Sequence, residues 1–468
     1  MPKHLLRKLC AITWDAMYSL AKRPPGPGGI GLLTFLLRLR KDPLGCLTEA
    51  ARRYGDLVFL GWVDKRVYLL NHPRHIKYVL QEHAANYTKG PRIERLKPLF
   101  GAGLTTSEGE HWRRQHRLIR PLLQQKNIAA FAPLIISRTR TMLERWQRAP
   151  ARGGILDIAQ EMRELTQAIM VRTIFGHELV ESETTRIGQA LCGALEHINE
   201  RVWALFDLAR LPTPRHRQLH QHLSTLDHFI SHQIAEKRRT NAVQDDLLSL
   251  LVGARSESGA EMSDSKLRDE ALTLWIAGHT TLAAGLTWTW YLLSQHPTVA
   301  EKLEQQLERT LGGRIPRFED LVRLPHTRRV LEEALRLYPP TWILARSPLS
   351  HDPIGGHRIP RKSVLLISPY LMHRHPDFWA SPEAFDAERF RPEGSESRPR
   401  YAYLPFGGGP RACLGKAWAL MEMQLIVATV AQKYRLRLGR GWLVAAEAGI
   451  VLRPKGRLLM TLERRGKR

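Results

Sequence analysis

The sequence predicts a mostly α fold with a minor β component, and three observations carry that reading. From Glu110 to about Tyr338 apolar residues recur at helical spacing almost without interruption. Short strands are confined to "LVFLGWVDKRVYLLN", which starts at Leu57, and to the proline-rich stretch after Tyr338. No alternating strand–helix rhythm runs through the chain, so a nucleotide-binding parallel sheet is not expected.

Taken in order, residues 1–23 come first. Leu5 to Leu20 is apolar but broken by Arg7, Lys8 and Asp15, and a spanning helix needs about 20 apolar residues. No small-residue cleavage site precedes "KRPPGPGG", which argues against a signal peptide. Two readings stand: an amphipathic helix resting on anionic lipid, or a helix packed on the body. Residues 24–29, Pro24 to Gly29, break any helix and read as a hinge. Residues 30–468 then read as a single domain, since the chain's 43% hydrophobic content supplies a large core.

Within that domain, Leu211-Pro212-Thr213-Pro214 separates two long helices, about 181–210 and 215–240. The loop "SESGAEMSDS" ends in a Ser/Asp cap at 263–265. A helix from Lys266 to Gln295 follows, stopped by His296-Pro297 and spanning roughly 45 Å. It is apolar on nearly every side and must be buried. A last helix is expected from Leu414 to about Tyr434.

Charge and cysteines bound the partners. Lys and Arg number 71 against 45 acids, a net charge of +26. Nucleic acid, a membrane surface or an acidic protein would each explain that excess. The bases are spread through helices, and no helix-turn-helix, zinc finger or aromatic RNA-binding strand accompanies them, so no nucleic-acid partner is expected. Cys10, Cys46, Cys192 and Cys413 show no pairing pattern, which fits a reducing, cytoplasmic compartment. His373-Arg374-His375 lacks a third zinc ligand.

The chemistry gathers in "YLPFGGGPRACLGKAWA", from Tyr403 to Ala419. A phosphate-loop reading fails, because Ala417 follows Lys416 where a hydroxyl is required. A thiol in the first turn of a helix meets unpaired N–H groups and the positive dipole end, both favouring thiolate. Gly407, Gly408 and Gly409 let the backbone approach something flat, and Gly415 removes bulk beside the sulfur. Arg411 offers a fork of donors to a carboxylate. Thiolate, planar partner and carboxylate describe the proximal side of haem.

The run Phe406-Gly-Gly-Gly-Pro-Arg411-Ala-Cys413-Leu-Gly415 resembles the haem-binding loop of the cytochrome P450 family, F-x-x-G-x-R-x-C-x-G, at every fixed position. Glu333-Ala-Leu-Arg336 before "LYPP" resembles the family's E-x-x-R motif, and Arg389 in "AERF" its third, structural partner. Trp112 and Arg346 resemble residues that reach haem propionates. His116 stands where an arginine is common. Ala277-Gly278-His279-Thr280-Thr281 resembles A-G-x-[D/E]-T-T, with Thr280 in place of the acid and Leu282 after Thr281. The resemblance covers about Gly26 to Leu462.

It implies a cytochrome P450 fold, haem b (iron protoporphyrin IX) with Cys413 as axial ligand, and insertion of one oxygen atom from O2 into an apolar terpenoid, fatty acid or polyketide-like molecule. Thr281 and Thr280 become the catalytic pair, and Ala277, Gly278, Phe406, Gly407, Arg411 and Gly415 cradle the cofactor. The Thr281 hydroxyl is expected to bond the Ala277 carbonyl and open the helix locally, with His279 facing away. Substrate contacts are expected at Ile93–Leu104, Trp275, Ala277, Thr281, Thr341–Leu344 and Gly449-Ile450. With no reductase domain after residue 468, electrons are expected from a separate ferredoxin or flavoprotein reductase, docked on Arg113, Arg114, Arg117, Arg120 and Lys416. A haem sensor or carrier would keep the Cys413 loop without the groove around Thr281, and substrate-dependent O2 use separates the two.

Overall fold

The computed structural model describes residues 23–61, 65–148, 154–203, 214–240, 246–255, 259, 261–439 and 441–465. Of the expected segment 1–23 only Arg23 falls within them, and the break at 211–213 lies outside. The chain forms two compact units, each assembled from separate stretches of sequence.

One unit comprises residues up to Ile93, Trp342–Pro382 and Arg398–Ala412. Its helices are α1 (Gly29–Leu39) and α2 (Pro43–Tyr54). Pro43 supplies the preset first turn of α2, and the Asp42 carboxylate accepts the Gly45 N–H at 2.9 Å. Five short strands follow: β1 (Leu57–Phe59), β2 (Val67–Leu70), β3 (Tyr87–Thr88), β4 (Leu344–Pro348) and β5 (Val364–Ile367). They form one sheet in the order β1-β2-β5-β4-β3, with β2 and β5 parallel and the other pairs antiparallel. Leu70, Val79, Leu365, Ile367 and Met372 pack its core. Asp352 ties the far edge, accepting from the Tyr78 and Tyr87 hydroxyls at 2.6 Å each and from Asn86 at 3.0 Å. Burial opposes its ionisation, but these donors outweigh it and hold the carboxyl below its usual range.

The other unit holds α3 (Gly109–Ile119), α4 (Ala132–Arg148), α5 (Ile158–Phe175), α6 (Glu181–Trp203), α7 (Pro214–Thr240), α8 (Asp264–Gln295), α9 (Pro325–Leu337) and α10 (Lys416–Ala431). As its all-round apolar sequence requires, α8 is the buried axis, with Leu267, Leu272, Trp275, Leu286 and Trp288 fully enclosed. Trp288 stacks on Tyr338 with ring centres 3.8 Å apart and donates its indole N–H to the Leu452 carbonyl at 3.0 Å. No helix among the described residues is long and apolar enough to cross a membrane.

Three boundaries differ from expectation. Helix α8 begins at Asp264, two residues early, and its Ser263 cap makes no side-chain capping bond. Helix α10 begins only at Lys416, because Leu414 and Gly415 form a turn ahead of it. It also ends at Ala431, since Tyr434–Leu438 is a strand paired with Leu459–Arg464. There Tyr434 and Leu436 alternate inward, a period of two that the preceding apolar run conceals.

Candidate active site

Cys413 lies three residues ahead of α10, outside its first turn. The residue is exposed, yet burial pushes its thiol up, and the opposing Gly415 N–H and Lys416 charge do not overcome it. The residue is thus open to solvent while protein crowds its thiol. Desolvation therefore outweighs the helix-end effect that favoured thiolate in the sequence. Gly415 leaves room beside the sulfur, where a Cβ would lie 3.9 Å away, and the sequence neighbours Ala412 and Ala417 are small and exposed. An exposed soft ligand with small residues beside it in the chain fits a broad planar iron complex.

Helix α8 supplies a second opening. Ala277 is exposed, and Gly278, Thr280 and Thr281 are half-buried, on a helix otherwise enclosed here. The Thr281 hydroxyl donates to the Ala277 carbonyl at 2.7 Å, as expected, and Thr280 donates to Ile276 at 2.8 Å. The expected local opening is absent, for α8 runs as unbroken α-helix through these residues. His279 faces away and is buried against α5, where its Nδ1 lies 3.0 Å from the Thr166 hydroxyl. Burial, helped by the Arg163 charge, lowers its pKa to about 4. Gly278 serves helix packing, because a Cβ there would strike the Met170 side chain at 2.6 Å. Trp275, expected as a substrate contact, is instead fully buried, edge-on to Phe175 and close to Phe229.

On α3, Trp112 and His116 lie one turn apart with ring centres 4.8 Å apart. Arg113, Arg114, Arg117, Arg120 and Lys416 are all exposed, and Arg113 pairs with Glu110. Glu333 and Arg336 of α9 have no exposure and meet in two hydrogen bonds of 2.6 and 2.8 Å. Arg336 also donates to Ala384 at 2.9 Å, while Glu333 accepts the Asp386 N–H at 2.9 Å and lies 3.4 Å from Arg389.

In the first unit, Arg346 stands on β4, 9% exposed, one of its nitrogens donating to the Ala345 carbonyl at 2.8 Å. Phe406, Gly407 and Arg411 are half-exposed. The three glycines have different reasons. Gly407 adopts a left-handed φ of 69° with open room beside it, as a close approach requires. At Gly409 a Cβ would collide with the Leu80 carbonyl at 1.7 Å, and at Gly408 with the Tyr401 ring at 2.4 Å. Those two are bare for the loop's own packing. The sequence reading missed its support: His373, fully buried, accepts the Leu404 N–H through Nε2 at 2.9 Å, and Tyr401 bonds Gln81 at 2.8 Å. His373 was legible only as half of an unusable metal motif.

Fold and site suit a haem-binding protein, and comparison with known proteins gives the family. The cytochrome P450 family profile matches residues 24–460. Cyclooctatin synthase of Streptomyces melanosporofaciens is 35% identical over 415 residues, 88% of this chain and 89% of the relative. Cyclooctat-9-en-7-ol 5-monooxygenase of the same organism is 34% identical over 413 residues, 88% and 89%. The crystal structure of the cytochrome P450DA haem domain superposes with a TM-score of 0.86 at 24% identity, covering 94% of this chain and 98% of the other.

The chain belongs to the cytochrome P450 family. It is a haem b monooxygenase that transfers one oxygen atom from O2 to an apolar small molecule, using electrons from a redox partner.

Proposed function

We propose that this chain hydroxylates or epoxidises a cyclic terpene hydrocarbon or terpene alcohol, and that the Cys413 sulfur would hold the haem iron. The exposed Cys413, with Gly415 leaving room beside its sulfur, carries the reading. Terpenoid chemistry is supported by the two Streptomyces relatives, one of which is named as a 5-monooxygenase of cyclooctat-9-en-7-ol.

Bound haem would supply activation of dioxygen; the rest falls to the chain. Trp112, His116, Arg346 and Arg411 would hold the propionates, an arginine fork matching a carboxylate and an indole N–H adding one donor. Phe406, Gly407, Gly415 and Ala277 would flank the ring, with Gly278 keeping α8 close to α5 behind it, and Glu333, Arg336 and Arg389 would keep the loop region folded. Thr281 has committed its own proton to Ala277. Its oxygen therefore offers lone pairs to the opening on α8, where it would hold a water in line for proton delivery. Thr280 takes the place of a carboxylate and would relay protons only through water.

The exposed arginines of α3 with Lys416 would dock an acidic ferredoxin or flavoprotein reductase. Residues 1–23, ahead of the hinge at 24–29 and the domain at 30–468, would rest on the inner face of a membrane, the protein otherwise being cytoplasmic. Exposed Ile30, Leu33 and Leu37 on α1 support that contact. The test is the reduced carbon monoxide spectrum. A red-shifted band that disappears in Cys413→Ala is expected, and its absence from intact wild-type protein rejects the assignment. Cyclic terpenes should then shift the haem absorption on titration, whereas fatty acids of similar size should not.

A further inference from the structure

The stretch after the short helix Lys97–Phe100 is held on α8 by hydrogen bonds to consecutive acidic side chains. Asp269 accepts the Ala102 N–H at 2.7 Å, and Glu270, with no exposure, accepts the Leu104 N–H at 3.1 Å. The Ala102 carbonyl in turn meets His111 Nε2 and Gln115 Nε2, each at 3.1 Å. Arg268 closes the set: it donates to the Leu99 carbonyl at 3.1 Å, to Asp269 at 2.9 Å, and to Asp227 of α7 at 2.7 Å. Contact is so close that a Cβ at Gly101 would lie 2.0 Å from the Asp269 carboxylate, and one at Gly103 2.3 Å from the Thr273 hydroxyl.

A carboxylate accepting a backbone N–H is a strong, directional tie, and deleting it leaves that stretch of backbone without its anchor. Glu270 stands seven residues before Ala277, about 10 Å along the same helix. The clasp thus fixes the loop in register with the Ala277–Thr281 opening.

We propose that Asp269 and Glu270 are positioning residues that set regioselectivity by locking Gly101–Leu104 into one shape before substrate arrives. This rests on the reading of Ile93–Leu104 as a substrate-contacting loop. The loop's shape is held by polar bonds to α8, so a rigid polycycle is selected by fit to a preformed wall.

The test uses the haem-loaded full chain with a terpene it accepts. Glu270→Ala and Asp269→Ala should keep the carbon monoxide band yet bind substrate about fivefold more weakly, the loss of one such bond, and release additional regioisomers. Glu270→Gln, whose amide oxygen still accepts from Leu104, should restore wild-type affinity and product ratio. Wild-type selectivity in both alanine variants overturns the proposal. Hydrogen exchange of the wild-type protein gives a reading independent of how the variants fold. The Ala102 and Leu104 amides should be protected, and free exchange at both would also overturn the clasp. Loss of the carbon monoxide band in wild type would instead sink the haem assignment, so the two failures are distinguishable.

Discussion

Glu422 on α10 has no exposure, and the Trp418 indole N–H donates to one of its oxygens at 2.6 Å. Among the described residues the other oxygen has no hydrogen-bond partner. Burial raises its pKa to about 8, only partly offset by Trp418. The folded pKa stands above the unfolded one, so the protonated acid is the native form. Its contribution is intact below about pH 4.5 and is lost as pH rises through 8. Holding it neutral at pH 7 costs about 3 kcal/mol. Glu422→Gln should recover much of that and flatten the stability profile between pH 4.5 and 8, measured by denaturant unfolding of haem-loaded protein. Nothing in the sequence marks Glu422, because a lone glutamate in an apolar helix reads as a solvated one. Thr281 was legible, since its spacing from Ala277 already implied the hydroxyl–carbonyl bond that is found. For this pair Thr281→Ala should raise peroxide release relative to product several-fold. Thr280→Glu should lower that ratio, and an unchanged ratio would show the missing carboxylate to be immaterial.

Elements were legible where one period dominates. Helix α8 was found to within two residues because its apolar surface continues all the way round, and nothing but a buried axis accommodates that. The end of α10 was misread because an apolar helix runs into an alternating strand after only Gln432 and Lys433, and the longer signal masks the shorter. The Glu333–Arg336 pair was legible as one turn of helix, but its burial was not, since spacing alone does not tell a solvated pair from an enclosed one. Enclosure makes the partners interdependent. Glu333→Gln alone leaves the buried Arg336 charge uncompensated, and Arg336→Leu leaves Glu333 only Arg389 as a charged partner, so either should cost about 3–5 kcal/mol. Replacing both by apolar residues of similar volume should cost less than either single change, which a double-mutant cycle would measure. Single-variant losses that simply add would argue against a coupled pair.

At the level of the molecule, the proposed docking face makes a prediction about salt. The arginines of α3 and Lys416 are exposed, as docking of an acidic partner would require. Electron transfer should slow several-fold as ionic strength rises, because the Debye length shrinks from about 10 Å at 0.1 M to about 3 Å at 1 M. Arg114→Glu should mimic that slowing at low salt. Rates indifferent to both would reject docking through this face. The division into two units could not be read from the sequence, because neither is a continuous stretch. Strand β2 near residue 67 pairs with β5 near 364, and no local signal announces a partner so distant.

That sheet order bears on biosynthesis. As the chain leaves the ribosome, β1 and β2 emerge early, but the strand that covers the open side of β2 is made about three hundred residues later. Until then a row of peptide groups on β2 stands uncovered, and Asp352, which anchors Tyr78 and Tyr87, does not yet exist. The smaller unit therefore closes late although its first strands are made first, and the nascent chain must be shielded through most of translation.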